Sequence, residues 1–473
     1  MSNKYLISIL FASLIASTHL SGQELNPGEI QKLRQIHRHI YLSGDCHQWL
    51  KGLTQIGGRL AGSPAADSAI RYVYEILDTL PKVHARLQPC SIPNYWVRGP
   101  MEEVIVYAGD KPLSLDCSTL GGSPSTPAEG ITAVVQEVYG LEDLERLGRQ
   151  ALEGSIVFFN RPMDAGEVSP FRAYGQAVDQ RVRGPAMAAR YGAVGAIVRS
   201  MTHFLDDVPH TGVTIFRDGE KAIPAIAIST LDADSLSSLI RQRGSVMARI
   251  RTSSKNLGPR LSYNVIGEIT GSTFPNQIIV VGGHLDAWDN GEGAHDDGAG
   301  IVQALQVLQT LVAINYTPRH TIRFVAYMNE ENGGGGARAY ADSVRINGET
   351  HIAAIESDAG GFAPVGFHWD AQPHLQPYYD SLLQQIIAPH LLQLDLLLRK
   401  GGSGADVSKL KPFGTLLFGL RPQPHQYFKY HHTPIDVFDA VHPRELKAGA
   451  AAMTSLVYLL DRYLTPPNTP TNE

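Results

Sequence analysis

QIIVVGGHLDAWDNGEGAHDDGAG, residues 277–300, opens as an apolar, β-branched run and closes in glycine, histidine and aspartate. QIIVVGG reads as a buried strand, a short apolar run bounded by turn residues. His284 and Asp286 follow at its carboxyl end, and Asp296 and Asp297 stand just before a helix expected from about Ala299 to Ala313. The pattern recurs downstream: HTIRFVAYMN runs into Glu330 and Glu331, HIAAIES runs into Asp358, and KYHHTPID carries His431 and His432. Strands alternating with helices predict an α/β layered domain with a largely parallel sheet, and such sheets bind ligands beyond the carboxyl ends of their strands. Taken singly, each feature has a plain explanation: a hydrogen-bonded loop pair, a cap, or glutamates placed by a helix dipole. Their shared position at strand ends is what counts, because the fold would gather them. Histidine and carboxylate donors without thiolate suit zinc or a similar divalent ion.

Upstream, a helical segment is expected over roughly Asn26 to Gln55. Ser63 then reads as an N-cap with Pro64 in the first helical position, followed by Ala69, Val73, Ile76, Leu77 and Leu80 at helical spacing. GGSPSTPAEG, residues 121–130, has the composition of a linker. Short strands and helices beyond it predict a smaller α/β unit inserted into the chain. The expected organisation is an export signal at 1–22, the first part of the main domain at 23–120, the insert at 121–255, the rest of the main domain at 256–465, and a tail at 466–473. The signal rests on Lys4, the apolar run YLISILFASLIA and the small residues up to Gly22. It predicts export, secreted or periplasmic. Later apolar segments are interrupted by polar residues, so no membrane span is expected. A formal net charge of -6 offers no basic footprint for nucleic acid. Cys46, Cys90 and Cys117 are the three cysteines. Export would allow two of them to pair and leave one over, and none sits in CxxC spacing.

The ordered set HLD, DDGAG, NEEN, ESDAGG and HHTP resembles the co-catalytic zinc exopeptidases of the M28 peptidase family. GGRLAGS near the N-terminus and the inserted unit, which is similar to a protease-associated domain, extend the resemblance over essentially the whole mature chain. These motifs are specific as an ordered set and weak one at a time. The resemblance implies a three-layer zinc-exopeptidase fold with a mixed, largely parallel central sheet and an inserted protease-associated α/β domain. It also implies two Zn2+ per chain, with His284 and Asp358 on one ion, Glu331 and His432 on the other, and Asp296 bridging both. A cis peptide bond would join Asp296 and Asp297, and Asp286 would orient the imidazole of His284. Glu330, uncommitted to metal, is the expected general base. Many relatives carry tyrosine where this chain has His431, so His431 is expected to donate to the oxyanion, with Tyr430 a second candidate. The segment 401–423 is similar to a substrate-side loop in which Ser403 and Asp406 are candidates. The glycines of NGGGGARAY, residues 332–340, permit close backbone approach but lack the spacing of a phosphate loop.

The implied function is an exported dinuclear zinc exopeptidase acting on dipeptides or short peptides. Homodimerisation is implied by the resemblance alone. The alternatives are an aminopeptidase acting on longer peptides, a single-zinc cyclising enzyme, and a non-catalytic binding protein on a peptidase fold. The last is disfavoured because every ligand position is filled.

Overall fold

The computed structural model describes residues 26–109 and 111–465, so the expected export signal and tail lie outside the described residues. The main sheet has eight strands in the order His84–Ile92, Arg260–Ile269, His320–Tyr327, Phe274–His284, Thr350–Glu356, Leu416–Pro422, Pro364–Asp370, Leu397–Lys400. The four strands from His320–Tyr327 to Leu416–Pro422 run parallel. Antiparallel pairings on both sides of them make the sheet mixed.

Strand periodicity builds the layers. Ile279, Val281, Ile322 and Phe324 face one apolar cluster, whereas Ile278, Val280, Val325 and Tyr327 face another. Successive side chains point to opposite faces of a strand, so both faces of the sheet are covered. The helices Ala299–Ala313 and Pro443–Tyr463 pack on the first face, and Gly335–Asn347 packs on the second. Ser63 caps the helix Pro64–Thr79 as expected, its hydroxyl accepting from the Ala66 N–H at 3.0 Å. The first helical segment divides at Gly44 and Asp45 into Pro27–Ser43 and Cys46–Thr54.

The insert has its own eight-stranded sheet, and its limits differ from the expected 121–255. Glu102–Tyr107, Leu113–Leu115 and Cys117–Thr119 all belong to this second sheet. The cause is long-range pairing: Glu102–Tyr107 lies antiparallel to Met247–Thr252, so the chain enters and leaves the unit on adjacent strands. The Gly/Ser/Pro-rich segment is therefore a loop within the unit, tied down where the Thr126 N–H donates to the Thr252 carbonyl at 3.0 Å. One apolar cluster of the insert continues into the main domain through Phe362, Tyr427 and Phe428, which seats the insert over the site.

All three cysteines are free, so the pairing that export would permit is absent. They belong to separate elements, a helix, a main-sheet strand and an insert strand, and burial pushes each thiol up to about 12. Among the described residues no helix is long and apolar enough to cross a membrane.

Half-buried His37 and buried His351 set an acid limit to stability. Burial holds His37, beside the Ser455 hydroxyl at 3.1 Å, down to about 4. Burial, reinforced by Arg323, does the same to His351, which meets the Tyr340 hydroxyl at 2.8 Å. The unfolded chain takes up these protons near pH ~6.5, before the folded chain does. Stability contributed above that pH is therefore lost as the pH falls from about 6.5 through about 4. A lower Tm at pH 5 than at pH 7 is expected in thermal scans, with a smaller difference in a His37→Gln variant.

Candidate active site

Three parallel strands deliver His284, Glu330, Glu331 and Asp358 at their carboxyl ends, and the segments Ala294–Gly298 and that after the helix Tyr427–Tyr430 bring Asp296, His431 and His432 to the same place. His284 Nε2 lies 3.3 Å from Asp296 Oδ1 and 3.5 Å from Asp358 Oδ1. On the other side, His432 Nε2 lies 3.4 Å from Asp296 Oδ2 and 3.0 Å from Glu331 Oε2. Asp296 thus stands between two clusters and turns one carboxylate oxygen to each. Donor atoms converge in two groups, His284 with Asp296 and Asp358, and Asp296 with His431 and His432. His431 enters the second group with its Nε2 3.9 Å from Asp296 Oδ2 and its ring stacked on His432 at 3.5 Å.

The donor set fits divalent cations. Asp296 Oδ2 and Glu331 Oε1 are buried with no hydrogen-bond partner. Among the described residues no lysine or arginine forms an ion pair with Asp296, Glu331 or Asp358. Buried carboxylates without a cation are costly. Burial, with Asp296 adding, drives the Glu331 carboxyl well above the usual range. Burial pulls the His284 imidazole down, but hydrogen bonding to Asp296 and Asp358 outweighs it and holds the ring well above its ordinary value. The site is short of positive charge.

Four of the donor residues, His284, Asp296, Glu331 and His432, are held by further contacts. His284 Nδ1 donates to the main-chain carbonyl of Asp286 at 2.9 Å, which aims Nε2 at Asp296 and Asp358, where a metal would take the place of its proton. The Asp286 carboxylate was expected to do this, yet it stays 3.9 Å from Nδ1. It instead accepts the N–H groups of Glu330 at 3.0 Å and Glu331 at 3.4 Å. The nearer carbonyl satisfies the ring, and the fully buried carboxylate fixes the turn carrying both glutamates. Asp297 accepts from the His284 and Gly300 N–H groups, each at 3.0 Å. The Asp296–Asp297 peptide bond is cis.

Arg59, in the GGRLAGS motif, spends its guanidinium on main-chain carbonyls. It donates to Leu285 at 2.6 Å, Glu292 at 2.6 Å and Gly293 at 2.9 Å, pinning the loop between His284 and Asp296. Asp436 accepts from the N–H groups of His295 at 2.7 Å and Asp296 at 3.1 Å. His432 has a positive φ of 63° and is clasped by the insert: its Nδ1 donates to the Thr211 carbonyl at 3.3 Å, and the Thr211 N–H donates back to the His432 carbonyl at 3.0 Å.

A cavity of about 320 Å³ opens on His284, Asp296, Glu330, Glu331, Asp358 and the two adjacent histidines. Phe171, Tyr174, Arg181, Tyr427 and Phe428 also line it, and the rings of Tyr174, Tyr427 and Phe428 stand 5.2–5.3 Å from that of His431. Phe171, Tyr174 and Arg181 come from the insert and were not legible in the sequence, since nothing local marks them. Tyr430, a candidate substrate contact, is off this cavity; its ring stacks on His295 at 4.9 Å, and Tyr427 and Phe428 take the wall positions. Ser403 is buried and lines neither this cavity nor the neighbouring one. Asp406 lines that neighbouring cavity, of about 280 Å³, beside Glu330.

The model of peptidase family M28 matches residues 264–457. Carboxypeptidase Q from Homo sapiens is 31% identical over 407 residues, covering 86% of this chain and 82% of that protein. A solved peptidase M28 precursor from Shewanella amazonensis SB2B superposes with a TM-score of 0.86 at 30% identity, over 94% of this chain and 99% of that one. BSAP, a zinc aminopeptidase from Bacillus subtilis, shares the fold with a TM-score of 0.62 at 18% identity, over 87% and 94% of the two chains. A sequence match that spans most of both chains places this protein in peptidase family M28, as a hydrolase of the metallo-exopeptidase class.

Proposed function

We propose that this chain is an exported dinuclear zinc exopeptidase that hydrolyses dipeptides and short peptides with Glu330 as general base. The observation carrying this is Asp296, a buried carboxylate whose two oxygens each face a different histidine and which, among the described residues, has no ion pair to a lysine or arginine. His284 and Asp358 would hold one zinc ion, Glu331 and His432 the other, and Asp296 would bridge them. Bound there, the ions would polarise the scissile carbonyl and lower the pKa of the attacking water.

Glu330 has the remaining work. It lines the cavity next to both donor groups while its neighbour Glu331 faces His432. Burial, with nearby carboxylates adding, pushes its carboxyl up to about 8. A carboxyl raised in this way is suited to take a proton from water and hand it to the leaving amine. Burial keeps the His431 imidazole down at about 4 and hence neutral, and its Nδ1 is buried without a partner. The ring can therefore offer an N–H to the oxyanion.

Arg181 supports seating of a C-terminal carboxylate in this cavity. Among the described residues it is the one arginine or lysine lining the cavity. It donates to the Tyr174 hydroxyl at 2.7 Å and the Thr211 carbonyl at 3.2 Å, while its Nε is buried without a partner. A guanidinium that, among the described residues, has no carboxylate in an ion pair with it suits a substrate carboxylate.

The reading is tested by dialysing the protein against a chelator and following amino-acid release from a dipeptide such as Ala-Leu. Hydrolysis is expected to stop and to return with two equivalents of zinc. Undiminished hydrolysis after complete metal removal would overturn it.

A further inference from the structure

We propose that the Tyr427 hydroxyl is a catalytic hydrogen-bond donor, the companion of His431 in stabilising the oxyanion that forms when water attacks the peptide carbonyl. This rests on the exopeptidase reading above and adds a residue to its site.

Tyr427 opens the short helix Tyr427–Tyr430, four positions before His431. That spacing puts the two side chains on one face, and their ring centroids lie 5.2 Å apart. The His431 N–H donates to the Tyr427 carbonyl at 3.0 Å, which fixes one residue against the other. Both line the 320 Å³ cavity together with His284, Asp296, Glu330, Glu331 and Asp358. The carboxylates of Asp296, Asp358 and Glu331 lie close enough to act on the Tyr427 phenol, so it stands near both donor groups.

The packing of Tyr427 uses its ring and leaves its hydroxyl unspent. The residue is 3% exposed. Its ring stacks on Phe171 at 5.2 Å and meets Phe428 edge-on at 5.2 Å. Phenylalanine would make both contacts equally well. Among the described residues the Tyr427 hydroxyl has no hydrogen-bond partner, and it is left accessible in the cavity that the residue lines. The hydroxyl of Tyr174, the other tyrosine of this lining, accepts from Arg181 at 2.7 Å. A hydroxyl held inside a protein without a partner in the chain costs stability, and such departures from full pairing concentrate at functional sites. A phenol keeps its proton at neutral pH and can donate it in a hydrogen bond.

The reaction supplies the acceptor. As the water oxygen bonds to the carbonyl carbon, the π pair of the carbonyl moves onto its oxygen. Tyr427 would donate a hydrogen bond to that charge and keep its proton. When the C–N bond breaks, the pair returns to the carbonyl, and the amine leaves with the proton that Glu330 took from water. A donor aimed at charge that develops only during reaction raises kcat with little effect on KM.

The test is Tyr427→Phe in the zinc-loaded full chain, read with Ala-Leu and with its phosphonate analogue, whose tetrahedral phosphorus mimics the attacked carbonyl. kcat is expected to fall about 10²–10³-fold with KM within about threefold of wild type. The Ki of the phosphonate should rise by about the factor by which kcat/KM falls, because both report the tetrahedral state. Zinc should stay at two per chain. The Tm of the metal-free protein should hold or rise, since the hydroxyl removed has no partner in the chain. A kcat within about tenfold of wild type, a loss confined to KM, an unchanged phosphonate Ki, a lost zinc ion, or a Tm lowered by about 2 °C or more would each overturn the assignment. Failure of the wild type to hydrolyse Ala-Leu would be a different result, overturning the exopeptidase reading and the assignment with it.

Discussion

Glu330→Gln is expected to lower kcat for dipeptide hydrolysis by about 10²–10⁴-fold with little change in KM. The substitution keeps shape and volume and removes only the ability to accept a proton. It should leave the fold intact, because the turn is held through the main-chain N–H groups of Glu330 and Glu331 on the Asp286 carboxylate, not through the Glu330 side chain. It should also leave zinc content at two per chain, because the glutamate closest to a histidine donor is Glu331, 3.0 Å from His432. The measurement is therefore threefold: kcat, zinc per chain and Tm. A loss of kcat with the other two unchanged identifies the base. A variant retaining activity within about tenfold of wild type would mean that the proton moves through another group. The acid limb of the kcat/KM profile should flatten in the variant, since protonation of the base below its pKa is what shapes that limb.

The donor set was legible because strand periodicity is local and strand ends are where such sheets bind ligands. HLD, EE and SD each follow an apolar run, so the positions of His284, Glu330, Glu331 and Asp358 were readable from strand ends; DDG and HH follow polar segments, so Asp296, His431 and His432 were singled out by the ordered motif set instead. The cap at Ser63 was readable because it too is local. What failed was long-range. The insert begins about one loop earlier than composition suggests, because the partner of Glu102–Tyr107 lies at Met247–Thr252. Arg181, Tyr174 and Phe171 reach the cavity only through the packing of the insert on Tyr427 and Phe428, and no spacing rule connects them to His284. Main-chain roles were equally silent. The acceptor for His284 is the Asp286 carbonyl, and the acceptor for His432 is the Thr211 carbonyl, so residue identity at those positions gives no hint of either contact. Asp286 was placed in the right neighbourhood with the wrong atom.

Asp296→Asn is expected to abolish activity and to depress zinc binding at both positions, whereas Asp358→Asn should depress it at one. The difference follows from geometry. Asp296 faces His284 through one oxygen and His432 through the other, at 3.3 Å and 3.4 Å. Asp358 faces only His284, at 3.5 Å. Asparagine keeps the shape but removes the charge and replaces one acceptor oxygen by a donor, so a bridging position is lost outright. Losing an outer partner of a metal ligand costs about 10–100-fold in affinity, and a direct donor shared by two ions should exceed that at each. Zinc stoichiometry after dialysis should read two in the wild type, close to one in Asp358→Asn and well below one in Asp296→Asn. The same order should appear in stability, because a ligand that binds only the folded state raises Tm in proportion to its free-energy of binding. Zinc addition should raise Tm most in the wild type, less in Asp358→Asn and least in Asp296→Asn. Equal losses in the two variants would mean that Asp296 serves one ion only, and the bridging assignment would fall. An intact pair of ions in Asp296→Asn would remove the argument for a shared carboxylate altogether.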